Sequence, residues 1–126
     1  MLNTIGLVAL GGAIGATLRF CVVSAAFRLF GEGLPLGTMA VNIAGSFLMG
    51  IAAIALLERG HGATLVPFVM IGILGGFTTF SAFSMDAIAL FEKGRLAMAA
   101  FYVFGSMGLS ITALFLGLYI ARSIWT

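Results

Sequence analysis

Charge is what this chain has least of: Asp, Glu, Lys and Arg make up 8% of 126 residues, as six scattered cations and four acids. A basic stripe of the kind that follows phosphate backbones is missing, so nucleic acid is not an expected partner. Cysteine is single, and Cys21 on its own excludes an intramolecular disulfide and a cysteine-built zinc site; it reads as a small lipophilic side chain. His61 is the only histidine. Set between two glycines, it reads as a solvated loop residue, since no second histidine exists to share a metal. No nucleophile stands beside a base, no carboxylates pair, and no glycine-rich phosphate loop opens a helix after a strand, so no enzyme is expected. The first apolar segment carries no Lys or Arg ahead of Arg19 and lacks the basic leader of a secretory signal, which makes it a retained span.

What the chain has instead is apolar length. At 62% hydrophobic residues it cannot hide its greasy surface in a soluble core of this size. The expected fold is an all-α membrane protein, one integral domain over 1–126 with four spans at about 5–27, 37–57, 64–91 and 96–121. In the first span, Gly11 and Gly15 stand in G-x-x-x-G spacing, with Gly12 and Ala16 one position on, forming a face that another helix can approach closely. Arg19, inside the same span, has two readings: snorkelling to a headgroup layer, or an electrostatic or packing role beside a pore. Pro35 stands where the second span starts. On that span Thr38, Asn42, Gly45, Ser46 and Gly50 gather on a polar, small-residue face. Asn42 is either interhelical glue or an uncharged amide donor for an anion.

The third span holds the stretch around which the chain is organised, G-I-L-G-G-F-T-T-F-S-A-F-S from Gly72 to Ser84. Run straight from Thr64 to Phe91, a helix would be roughly 40 Å long against a hydrocarbon core of about 30 Å. Paired glycines followed by two β-branched hydroxyl residues place a break of the ladder at Gly75 to Thr79. At membrane depth a break exposes carbonyls and amides that protein, water or an ion must satisfy, so this stretch reads as an ion site. Phe77, Phe80 and Phe83 are spaced by three and alternate with Thr78, Thr79, Ser81 and Ser84. Ring edges are electropositive, and edges mixed with hydroxyl donors suit a small dehydrated anion, although such spacing also serves plain packing. Asp86 follows, the only acid expected within a span. In the fourth span Tyr102, Ser106 and Ser110 fall at i, i+4 and i+8, a hydroxyl stripe that either conducts or bonds back to carbonyls one turn earlier. Gly105 and Gly108 suggest close packing beside it, and Trp125 an interfacial anchor.

These residues resemble the Fluc (CrcB) fluoride channels. G-G-F-T-T-F-S-A-F-S at Gly75 to Ser84, G-T-M-A-V-N-I-A-G at Gly37 to Gly45 and G-G-A-I-G-A-T-L-R at Gly11 to Arg19 are similar to the signatures of that family, and the likeness covers essentially the whole chain. The resemblance implies an antiparallel, dual-topology homodimer in the cell (inner) membrane that lowers cytoplasmic fluoride through two pores by passive flow. It implies a structural sodium ion held at the dimer centre by backbone carbonyls, matching Gly75 and Thr78, and a pore matching Asn42, Phe80, Phe83, Tyr102, Ser106 and Ser110, with Thr79 among the donors. Where the family usually has T-T-F-S-T-F-S, Ala82 stands here in place of the later threonine, and its usual glutamate is Asp86. The rival from another class is a small multidrug-type proton-coupled exporter of cationic compounds. Such an exporter needs an embedded carboxylate early in the chain, and the first span has none.

Charge placement generates a test of topology. With four spans, Arg59 and Arg122 fall on one side and Arg28, Lys93 and Arg95 on the other, a near balance that gives weak orientation. A tag on the C-terminus is expected to be reachable from both sides of the membrane in one preparation. Adding two lysines to the loop 58–63 should shift the tag to a single side; one-sided labelling of the unaltered chain would exclude dual insertion.

Overall fold

The computed structural model describes residues 1–60 and 62–125, so His61 lies outside the described residues. Its first helix, α1 (Leu2–Phe30), ends where Gly31 takes φ 73° and its amide donates back to the Phe27 carbonyl at 2.8 Å. α2 starts at Leu36, directly after Pro35, runs as an α-helix to Ala52 and continues with wider π winding over Ala53–Glu58. The third span begins with α3 (62–77), α-helical over Gly62–Leu65, π-wound over Val66–Leu74 and α-helical again over Gly75–Phe77. Pro67 sits at the start of the π-wound stretch and contributes no amide to the ladder. After three residues outside any helix, α4 (Ser81–Glu92) completes the span, and α5 (Leu96–Trp125) is the last. Gly60 at φ 81° and Gly94 at φ 77° make the turns that follow the second and third spans.

Four segments, Leu2–Phe30, Leu36–Glu58, Gly62–Glu92 and Leu96–Trp125, are long and apolar enough to cross a membrane. Each overruns the apolar edges expected from sequence by up to a few residues, because a helical ladder continues until a turn stops it and not until hydrophobicity does. Packing couples the spans as α1 with α3 and α2 with α5, and α1 also meets α2. Consecutive spans reverse direction, so both close pairs consist of helices running the same way.

Small residues decide these pairings. A Cβ added to Gly11 would strike the Phe68 carbonyl and come within 2.9 Å of the Gly72 Cα, and one on Gly76 would lie 2.8 Å from the Gly12 carbonyl. The expected contact face of the first span is therefore the seat of the third. The α2–α5 crossing is reciprocal: a Cβ on Gly50 would strike the Leu114 carbonyl, and one on Gly117 would strike the Phe47 carbonyl. Gly105 and Gly108, expected from sequence to pack closely, do not: the former has only the Met39 methyl at 3.9 Å and the latter has open space. Gly117 takes that part, set by register against α2, which a stripe on one helix does not reveal.

One end of the bundle is tied by polar contacts. Arg122 pairs with Glu58 at 2.9 Å, and Arg59 donates to the Trp125 carbonyl at 3.1 Å with its guanidinium 5.9 Å from the indole. The turn after α2 and the end of α5 thus lie on one side, as an even number of spans requires. Elsewhere the outer faces carry large exposed apolar side chains, Phe20, Phe101, Phe104, Ile111 and Phe115 among them, which only hydrocarbon or another protein covers favourably.

The glycine contacts predict a pair of opposite outcomes. Gly117→Val should destabilise the fold by at least about 1–3 kcal/mol, since two backbones must separate to admit it. Gly108→Ala should stay within about 0.5 kcal/mol of the parent. Thermal melting in detergent checks both.

Candidate functional site

Beyond Phe77 the backbone leaves the helix, with Thr78 extended at φ −85° and ψ 159°. The glycines expected to open the ladder stay helical, Gly75 at φ −63° and ψ −38°. What opens it lies on another span. The Thr79 amide donates to Asn42 Oδ1 at 2.7 Å, and Asn42 Nδ2 donates to the Thr79 carbonyl at 2.9 Å. Thr79's own N–H and C=O dictate which end of the amide faces which. This is the interhelical glue reading of Asn42. It leaves one N–H of the side chain unused, since a carboxamide nitrogen has two.

Several other polar groups of the break also find partners. The Thr78 amide and hydroxyl both donate to the Leu74 carbonyl at 3.0 Å, closing the last turn of α3. Thr79 Oγ1 accepts from the Ala82 amide at 3.1 Å and so caps the first turn of α4. Arg19 reaches across from α1, Nε donating to the Gly76 carbonyl at 3.0 Å. Of its two readings from sequence, it has the packing one: a cation that costs about 2.5–3.5 kcal/mol to place in a span recovers part of that through a charge-assisted bond of about 1.5–3 kcal/mol. Gly45, one turn along from Asn42, makes the room in which the Thr78 methyl rests.

Beside the break lies a groove of about 310 Å³. Asn42, Gly45, Ser46 and Met49 of α2 line it, with Thr78, Thr79, Phe80 and Phe83 from the break and α4, and Ser106, Met107, Ser110, Ile111 and Leu114 of α5. The structure thus brings together Asn42, Thr79, Phe80, Phe83, Ser106 and Ser110. Sequence reasoning missed Met49, Met107, Ile111 and Leu114. The signal was available for Met49, which follows Asn42 by two turns, but apolar residues near a polar face carry no mark of their own. No charged side chain lines the groove.

Ser106 and Ser110 carry its chemistry. Four other hydroxyls bond back one turn along their own helices: Thr17 to Ala13, Thr78 to Leu74, Ser84 to Phe80 and Ser123 to Tyr119. The Ser106 and Ser110 hydroxyls are buried and reach no protein partner. A buried unsatisfied hydroxyl costs about 1–3 kcal/mol, so two in succession on a groove wall are donors that want a partner from outside the chain.

Tyr102 does not belong to that wall. Wholly buried at 0% exposure, it donates to Asp86 Oδ2 at 3.0 Å and lies behind Phe83, ring centroids 5.3 Å apart. The stripe expected on the fourth span therefore divides, two serines to the groove and the phenol to the core with Met39, Leu90 and Ala99. Phe83 is tilted 54° from Phe80 at 5.7 Å, and Phe80 stands 78% exposed at the open edge of the groove. Among the described residues no group of three or more His, Cys, Asp or Glu could hold a metal ion. An uncharged cleft lined by an amide, hydroxyls and aromatic rings suits a small anion stripped of water.

Comparison with known proteins gives a concordant picture. A family described as CrcB-like protein, Camphor Resistance (CrcB), matches residues 6–118. The fluoride-specific ion channel FluC of Ruegeria sp. (strain TM1040) is 52% identical over 128 residues, covering 100% of both chains. That of Cereibacter sphaeroides (strain ATCC 17029 / ATH 2.4.9) is 48% identical over 122 residues, 97% of each chain, and that of Agrobacterium fabrum (strain C58 / ATCC 33970) 48% over 127 residues, 99% of this chain and 100% of its own.

The unpartnered serines predict that function and stability separate. Replacing Ser106 and Ser110 together by Ala should lower anion flux in liposomes at least about tenfold, since a hydroxyl bonded to a charged group contributes about 1.5–3 kcal/mol. The melting temperature should hold or rise, because no protein hydrogen bond is lost.

Proposed function

Because this chain belongs to the CrcB-like family, we propose that it is a fluoride-specific ion channel that exports fluoride passively and lowers its cytoplasmic concentration. It is a multi-pass membrane protein and not an enzyme. The observation that carries the assignment to a place is the groove beside the break, whose two buried serine hydroxyls have no partner within the protein. Fluoride is small and strongly hydrated, so its path must exchange water for donors while remaining too narrow for larger halides. The second N–H of Asn42, the hydroxyls of Ser106 and Ser110 and the edges of Phe80 and Phe83 supply that exchange, with Thr79 at the same wall. Tyr102 and Asp86, bonded to each other, back Phe83 and fix its tilt. The proton-coupled exporter has no support here, since Asp86, the acid set away from the span ends, is engaged by a phenol on the next span.

The working form is an antiparallel homodimer of dual topology in the cell (inner) membrane, with a broken third span at its centre. Two observations support a sodium ion there. In an unbroken helix the Thr79 amide would donate to the Gly75 carbonyl and the Ala82 amide to the Thr78 carbonyl. Both are diverted, the first to Asn42 and the second to Thr79 Oγ1, so two carbonyls lose the helical donors they would otherwise have. A hard cation takes oxygen ligands, and the two carbonyls of one chain with two from its partner would hold it. Bound, the ion supplies fixed positive charge and satisfies backbone that hydrocarbon would leave bare. The exposed faces of the spans and the half-open groove are covered by the second copy.

Liposomes loaded with fluoride test the reading. The purified protein should release fluoride and retain chloride and a lipophilic cation; release of all three, or of the cation alone, would overturn it. Gly75→Val reports on assembly. A Cβ at that position has only the Met70 carbonyl near it, at 3.6 Å, so the lone chain accommodates it. Loss of dimer and of fluoride efflux together is expected, and a Gly75→Val protein that stays dimeric and conducts normally would remove the cation from the dimer centre.

A further inference from the structure

Asn42 does two jobs with one side chain. Its oxygen receives the amide that a continuous helix would return to Gly75, and its nitrogen binds the carbonyl of the same residue, Thr79. Its second N–H has no partner among the described residues, and Asn42 lines the groove in which Ser106 and Ser110 also lack one. Gly45, one turn further on α2, receives Thr78, so one face of one helix sets both residues at the break. No other side chain among the described residues takes the Thr79 amide.

We infer that Asn42 is the positioning residue of the central cation site as well as a wall of the anion path, and so couples sodium affinity to fluoride passage. This rests on the reading of Gly75 and Thr78 as sodium ligands. The Gly75 carbonyl lacks its helical donor because Asn42 has taken the Thr79 amide. Replace the carboxamide with a group that cannot accept, and the Thr79 amide returns to the nearest acceptor left to it, the Gly75 carbonyl, closing the turn and withdrawing a ligand. Coupling of this kind is reciprocal: whatever strains the Asn42–Thr79 pair from the groove side also shifts cation affinity.

Two substitutions separate the roles. Asn42→Leu keeps the volume and removes every hydrogen bond. Asn42→Asp keeps an accepting oxygen for the Thr79 amide and, when protonated, an O–H for its carbonyl, but has no N–H to spare for the groove. Radiosodium binding to the purified full chain should fall at least about tenfold in Asn42→Leu, as for groups that orient metal ligands. It should hold at the parent value in Asn42→Asp, while fluoride efflux falls in both. Where Asn42→Leu fails to elute as the parent assembly does, Asn42→Ala gives the same comparison. Unchanged sodium affinity on removing the carboxamide, or equal loss in the Asp and Leu proteins, overturns the coupling and leaves Asn42 a groove residue alone. If the parent chain itself binds no sodium, the central-cation reading falls, and this inference with it, whereas the fluoride assay on the parent stands apart from either.

Discussion

The backbone of Thr78 to Phe80 leaves the helix at a depth where hydrocarbon offers no hydrogen bonds, and the rest of the structure answers that one deficit. The answer comes chiefly from a reciprocal pair, the carboxamide of Asn42 against the peptide of Thr79, at 2.7 and 2.9 Å. Arg19 on α1 meets the Gly76 carbonyl, and the Thr78 and Thr79 hydroxyls close one helix and begin the next. A break of this kind is stable because two neighbouring spans and two local hydroxyls satisfy it at once. Removing any of them exposes a polar group to an environment in which it costs several kcal/mol.

Such bonds have no slack, which explains the glycines. A side chain as short as asparagine spans between helices only when their axes lie close. Gly45 of α2 yields to Thr78, while Gly11, Gly15 and Gly76 let α3 lie against α1 so that Arg19, one turn beyond Gly15, meets the carbonyl of Gly76. On the other side of the molecule the reciprocal Gly50 and Gly117 contact draws α5 onto α2 and brings Ser106 and Ser110 to the groove that Asn42 lines. Hydrophobic patterning contributes little to this arrangement, since lipid tails are as apolar as the side chains they would replace. Shape and hydrogen bonding between spans do what a core does in a soluble domain.

The groove itself is built from restraint. Its wall holds no charge that would trap an anion or repel it. Its serines are spared the back-bonding that occupies Thr17, Ser84 and Ser123, and so keep their donors. In the proposed function, hydroxyls, an amide and aromatic rings in turn would bind a passing ion well enough to shed water and loosely enough to let it leave.

Much of this was legible in the residues. Four spans followed from apolar length and the close face of α1 from G-x-x-x-G spacing. Those are local properties, fixed by what a single helix in lipid tolerates. Where the break falls and what the polar residues do were decided only in three dimensions. Gly75 remains helical because the ladder is opened from outside by Asn42, a residue of another span. Tyr102 shares a stripe with Ser106 and Ser110, yet turns into the core, where Asp86 of α4 accepts its hydrogen bond. Gly108 lies free and Gly117 is pressed against Phe47 because register between α2 and α5, not composition, selects the point of crossing. A sequence states which groups need partners, and only the packing of the spans determines which partners they reach.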